Sequence, residues 1–120
     1  MAPIEIAPHL VEAFSIFKAE FSANYGFLVT ALAELETAQA VGEAATAEWL
    51  QAKSKPLENR FHILKGSAGF LGLPVVRDLS QQGEKMFKPG SPFLADAEKM
   101  MAEFRRIVEG LGQAEKDFLS

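Results

Sequence analysis

Cysteine is absent from this chain, and histidine occurs only at positions 9 and 62. Disulfides, zinc–cysteine sites, thiol nucleophiles and iron–sulfur clusters are therefore excluded, and a multi-histidine metal centre is not expected. Dense basic clusters are missing too. Twelve Lys and Arg against sixteen Asp and Glu leave a formal net charge of −4, with no electrostatic footprint for a nucleic-acid backbone or an anionic membrane. No apolar run approaches membrane-spanning length, and Met1 to Leu10 lacks the basic and apolar regions of a secretory signal, so a cytoplasmic location is expected. No segment alternates with period two in β-branched residues, and no internal repeat is visible, which leaves no sign of strands or a solenoid. A glycine-rich ATP-binding motif is also lacking, so the chain is not expected to phosphorylate itself.

What is present is ordinary globular composition: 120 residues, 48% of them hydrophobic and 23% charged. That is enough for one compact domain over 1–120 and too little for two. Leu10, Phe14, Phe17, Phe21, Tyr25, Leu28, Leu32 and Leu35 recur at steps of four and three, the stripe of an amphipathic helix. Ser22, Asn24 and Gly26, around Ala23, are poor helix residues within it and mark either a kink or a break between two helices. Gly42 ends this segment, and Glu43 to Lys53 reads as a shorter helical stretch around Trp49, which is expected to fill the core.

Pro56 is placed as a first-turn proline opening a helix over about 56–71, in which Leu57, Phe61, Leu64, Ala68 and Leu71 form the buried face. After Gly72 and Pro74 a further helix is expected over about 74–88. Its core side carries Leu79, Gly83 and Met86, and its polar side carries Arg77, Ser80, Gln81, Glu84 and Lys88. Ser91-Pro92 starts a last helix over about 92–111, with Gly110 and Gly112 fraying its end. The fold class expected is all-α: an antiparallel up-and-down four-helix bundle with one or two accessory N-terminal or short helices.

The chemistry concentrates in Phe61-His62-Ile63-Leu64-Lys65-Gly66-Ser67-Ala68-Gly69-Phe70-Leu71-Gly72. At about 100° per residue His62 stands one step off the buried stripe, with Glu58, Lys65, Gly66 and Gly69 around it on the outward face. An exposed imidazole can be neutral and nucleophilic near neutral pH, and Lys65 one turn on offers positive charge to an incoming phosphoryl group. Gly66 and Gly69 each cost a helix roughly 0.5–1 kcal/mol relative to alanine, which points to close backbone approach by a partner on that face. His9 has no comparable surroundings.

His62-Ile63-Leu64-Lys65-Gly66-Ser67, with Gly72 following, resembles the signature of histidine-containing phosphotransfer (HPt) domains, His-x-x-Lys-Gly-Ser/Ala with a downstream glycine. The stretch Ala68 to Gly72 is also similar to the phosphoacceptor domain of CheA chemotaxis kinases. The resemblance implies that His62 accepts a phosphoryl group at Nε2. It also implies that a polar residue on the next helix, here Glu84, hydrogen-bonds the other ring nitrogen, with Gln81 a secondary candidate. The partners implied are response-regulator receiver domains and a hybrid sensor kinase, with Glu58, Gly66, Gly69 and Gln81 as docking residues, no cofactor, no metal, and a monomer as the working form. Two other readings stay open: a phosphoacceptor domain excised from a larger CheA-like or hybrid kinase, and a helical adaptor that keeps the fold without being phosphorylated.

Overall fold

The computed structural model describes residues 6–119, so the ends of the expected 1–120 domain lie outside the described residues. Four helices follow one another: α1 (Val11–Val41), α2 (Glu43–Leu71), α3 (Pro74–Met86) and α4 (Ala97–Leu119). Two short 3-10 turns, Pro8–Leu10 and Pro92–Ala95, are the accessory pieces. Pairing fixes the directions. Asn24 and Ala31 of α1 bond to Arg60 and Trp49 of α2, while Ser22 and Glu36 of α1 bond to Glu115 and Arg105 of α4. Phe61 and Gly69 of α2 face Gly83 and Arg77 of α3, and Leu79 and Gln82 of α3 face Gly110 and Arg106 of α4. Each set runs in opposite senses, so the helices alternate up and down around one core. No helix among the described residues is long and apolar enough to cross a membrane.

The stripes read from the sequence do form that core: Phe21, Phe61, Phe87 and Phe104 are fully buried. Aromatic packing extends from Phe14, Phe17 and Phe21 on to Phe118, and from Trp49 to Phe87 and Phe104. Trp49 is core filler as expected, and its indole N–H donates to the Ala31 carbonyl at 3.2 Å.

Several expected boundaries are corrected. The helix carrying His62 does not start at Pro56; α2 runs unbroken from Glu43, with Pro56 inside it. An interior proline costs about 3 kcal/mol, but Trp49 on one side and Leu57 and Phe61 on the other are buried against the same core. Burying each such side chain contributes roughly 1.5–3 kcal/mol, so the continuous stripe wins over the local penalty. The α1 stripe is one helix, and Asn24 is tied in place by donating to the Glu20 carbonyl and accepting from Arg60. The third helix ends at Met86 instead of near 88. The last begins at Ala97, where the Asp96 carboxylate accepts from the Lys99 amide, and Pro92–Ala95 is a separate turn. It also does not fray at Gly110 and Gly112, because Leu111, Ala114 and Phe118 bury its next two turns.

The turn between α2 and α3 sets the site. Gly72 sits at φ 70° in the left-handed region, where glycine carries no Cβ penalty. Its amide bonds to the Gly69 carbonyl at 3.3 Å and the next amide, of Leu73, to the Ala68 carbonyl at 2.9 Å. That pair of bonds is a Schellman motif. Buried Leu73 and the first-turn Pro74 then launch α3 straight back along α2.

Candidate functional site

Because α3 returns along α2, residues about twenty positions apart meet across the two helices. His62 and Lys65, one turn apart on α2, both face Glu84 of α3. The Glu84 carboxylate lies 2.7 Å from His62 Nδ1 through Oε2, and Lys65 Nζ donates to Oε1 at 2.5 Å. The His62 side chain is 66% exposed and Lys65 33%, whereas Glu84 is 7% exposed. One buried carboxylate therefore holds two surface cations or donors from below.

Burial pushes the Glu84 carboxyl up, but hydrogen bonds from Lys65 and His62, reinforced by their charges, outweigh it and hold the group below the usual carboxylate range. Glu84 is thus ionised near neutral pH and can only accept. It follows that His62 Nδ1 carries the hydrogen, and that in the neutral ring the lone pair resides on Nε2. With Nδ1 committed to Glu84, Nε2 is the nitrogen open to an incoming electrophile on the solvent side.

The structure places the other sequence candidates less uniformly. Gly66 and Gly69 lie exposed on the same stretch of α2. A Cβ at Gly66 would meet nothing within 4 Å, and one at Gly69 would reach only the Arg77 Cδ at 3.8 Å, so neither glycine is needed for internal packing. Glu58 is half-buried and paired with Lys55 at 3.3 Å. Gln81 is exposed, one turn before Glu84.

Two expectations about this cluster are corrected. Lys65 does not stand free for a phosphoryl group: its ammonium is bonded to Glu84. Glu84 and Ser80, assigned to the outer face of the third helix, are buried, and Leu79 on the supposed core side is only half-buried. The reason is that α3 packs on both α2 and α4, so its buried arc is wider than a single stripe, and Glu84 falls at the α2 edge where Lys65 and His62 satisfy it.

Sequence reasoning missed an apolar component. Ile63 and Phe70 are 52% and 69% exposed and lie seven residues apart on α2, the spacing of one helix face. Phe70, Gly66 and Ser67 form one wall of a groove of about 380 Å³ whose other wall is Ile16 and Phe17 of α1. The signal was available: Ile63 and Phe70 are large apolar residues that do not fit the Leu57–Phe61–Leu64 stripe. A larger groove of about 660 Å³, walled by Tyr25, Arg106 and Gly112, takes no residue from α2 or α3 and so does not involve His62.

The family model of the Hpt domain matches residues 16–114, which include all four helices in large part and every residue of the His62 cluster. Comparison with curated proteins and with solved structures gives no significant match.

Proposed function

This chain belongs to the Hpt domain family and has a phosphotransfer role in two-component phosphorelays, and on that premise we propose that His62 is the phosphoacceptor, exchanging a phosphoryl group between its Nε2 and the active-site aspartate of response-regulator receiver domains. A receiver belonging to a hybrid sensor kinase would supply the group, and a second receiver would take it. The observation that carries the reading is the 2.7 Å contact of Glu84 with His62 Nδ1, which leaves Nε2 as the nucleophilic atom on an exposed helix face.

In the accepting step the Nε2 lone pair attacks phosphorus in line as the bond from phosphorus to the aspartyl oxygen breaks, and the carboxylate leaves with that electron pair. The ring becomes a phosphoimidazolium whose positive charge is shared onto Nδ1–H. The Glu84 carboxylate faces that hydrogen, so charge develops where a counter-charge is already fixed. No proton has to leave or arrive, and the return step reverses the same bonds. Lys65 occupies the other Glu84 oxygen and, with His62, holds that carboxyl below the usual carboxylate range. Glycines 66 and 69 leave the approach to Nε2 clear, and the Ile16–Phe70 groove beside them offers apolar area for the partner. Glu58 and Gln81 would lie at the edge of that footprint.

Replacing His62 by glutamine tests the reading. His62→Gln should fold as wild type and take up no phosphoryl group from a phosphorylated receiver, and the wild-type label should be acid-labile and base-stable. Wild-type labelling of His62→Gln would move the acceptor elsewhere, His9 being the next candidate.

A further inference from the structure

We propose that Gly83 is a positioning residue for His62: lacking a Cβ, it lets the Phe61 ring seat against α3 and so sets α2 and α3 at the spacing where Glu84 reaches Nδ1. The inference rests on the reading of His62 as acceptor. Its basis is a pair of neighbours. Phe61 adjoins His62 on α2, and Gly83 adjoins Glu84 on α3, so the buried Phe61–Gly83 contact lies next to the half-buried His62–Glu84 contact.

A Cβ built on Gly83 would fall 2.5 Å from Phe61 Cδ1 and Cε1 and 2.6 Å from Cγ. The ring cannot retreat easily. It is fully buried, stacked on Phe87 with a 6.2 Å centroid separation, and set edge-on to Phe104 at 6.4 Å. Ordinary carbon–carbon contact is about 3.5–4 Å, so an added methyl asks for a separation larger by about 1 Å or more. The His62–Glu84 distance of 2.7 Å has no such slack: a hydrogen bond stretched to about 3.6 Å is no longer one.

The other tight glycines differ in kind. A Cβ added at Gly110 would fall 2.8 Å from the Leu79 methyl Cδ1, and one at Gly112 2.5 Å from the Tyr25 hydroxyl. Those atoms are the far ends of half-buried side chains that can swing aside, and neither adjoins the His62 cluster. At Gly83 the obstruction begins at the root of a locked ring.

The test reads His62 itself. In the full chain labelled with ¹⁵N-imidazole histidine, at a pH where the ring is neutral, wild-type His62 should show the Nδ1–H tautomer. His62→Gln assigns the signal. Gly83→Ala should remain folded by circular dichroism, show a mixed tautomer, and accept phosphoryl from phosphoramidate or a phosphorylated receiver about tenfold more slowly, the scale on which losing an imidazole's orienting partner acts. Adding Phe61→Leu, whose methyls can turn away from the new Cβ, should return both the tautomer and the rate. In a Glu84→Ala background Gly83→Ala should change the rate no further, since its effect passes through Glu84.

A folded Gly83→Ala protein with the wild-type tautomer and rate overturns the proposal, and so does an equal loss of rate in the Glu84→Ala background. Should Gly83→Ala alone fail to fold, Phe61→Leu and Gly83→Ala/Phe61→Leu are compared instead. Matching tautomers support the seat, and a mixed tautomer only in the double variant refutes it. A wild-type protein that neither donor charges at His62 removes the functional reading, while the tautomer comparison still decides the role of Gly83.

Discussion

Under the proposed docking of receivers over His62, Gly66 is the position at which fold and partner make opposite demands. It sits inside α2, one turn after His62, exposed, with no atom within 4 Å of where a Cβ would stand. Alanine there removes conformational freedom from the unfolded chain and meets no clash, so it should stabilise the protein by about 0.5–1 kcal/mol. For a domain of this size roughly 1 kcal/mol moves the melting temperature by about 3–6 °C, giving an expected rise of about 2–6 °C. Arginine is also a good helix former and its side chain can extend into solvent, so Gly66→Arg should not lower the melting temperature. Transfer is another matter. In-line attack needs reacting atoms about 3–3.5 Å apart, and a misplacement of about 1 Å can cost about a hundredfold. A long side chain one turn from Nε2 holds a receiver off by more than that, so Gly66→Arg should transfer at least about a hundredfold more slowly in single turnover. Charging by phosphoramidate, which needs no docked protein, should stay near wild type and would show that His62 itself is intact. A Gly66→Arg protein that melts normally and exchanges with receivers at the wild-type rate would falsify docking over this face. One that unfolds would show that the face is packed.

The buried carboxylate gives two further predictions. Lys65→Ala leaves Glu84 ionised and buried with His62 alone, and because Lys65 is 33% exposed the cost is discounted to about 1–2 kcal/mol, read as a lower urea midpoint; the Glu84 carboxyl should titrate at higher pH than in wild type when followed by ¹³C NMR, and an unshifted titration would sever the link between the two. The folded Glu84 group titrates below its unfolded value, so its contribution to stability is complete above the unfolded carboxylate value of about 4.3 and is lost as pH falls through the lower folded value. The melting-temperature gap between wild type and Glu84→Gln should therefore be flat above about pH 5 and close in acid, whereas a gap unchanged down to strongly acid pH would contradict a depressed carboxyl.

How far the sequence discloses this molecule depends on the range of the forces involved. Helix spacing is local, and Phe17, Phe21, Leu28 and Leu35, like Phe61, Leu64, Ala68 and Leu71, announce their buried faces by steps of three, four and seven. Pro56 and Gly110 are also local signals, but they are overruled by burial of Trp49, Leu57, Leu111 and Phe118 against partners far along the chain. A rule about helix starts and stops has no access to that burial. His62 is legible because its neighbours in sequence form its surface. Glu84 is legible as a candidate by position after the motif, yet its burial is not, since the groups that make a buried carboxylate tolerable, Lys65 and His62, lie 19 and 22 residues away. Phe70 is the converse: a residue whose apolar character contradicts its exposed phase, and whose meaning appears only when Ile16 of α1 is seen across the groove.

On the proposed reading of His62 as phosphoacceptor, the division of Glu84 between two partners also bears on what kind of phosphoryl carrier this geometry makes. A site that gripped the phosphoryl group tightly would lower the energy of the phosphorylated protein and raise the barrier to handing the group on, because only interactions stronger in the transition state than in the bound state speed a transfer. Here the ammonium one turn along, Lys65, is committed to Glu84 at 2.5 Å, and Glu84 in turn acts on the ring through Nδ1 instead of at Nε2. The protein's electrostatics are thus directed at the imidazole, whose charge rises and falls in both directions of transfer. The phosphoryl oxygens are left to whatever the partner brings. On that reading acceleration would come largely from the receiver, and the contribution of this chain would be an oriented nitrogen, a fixed counter-charge behind it, and a helix face bare enough at Gly66 and Gly69 for the partner's active site to close over it.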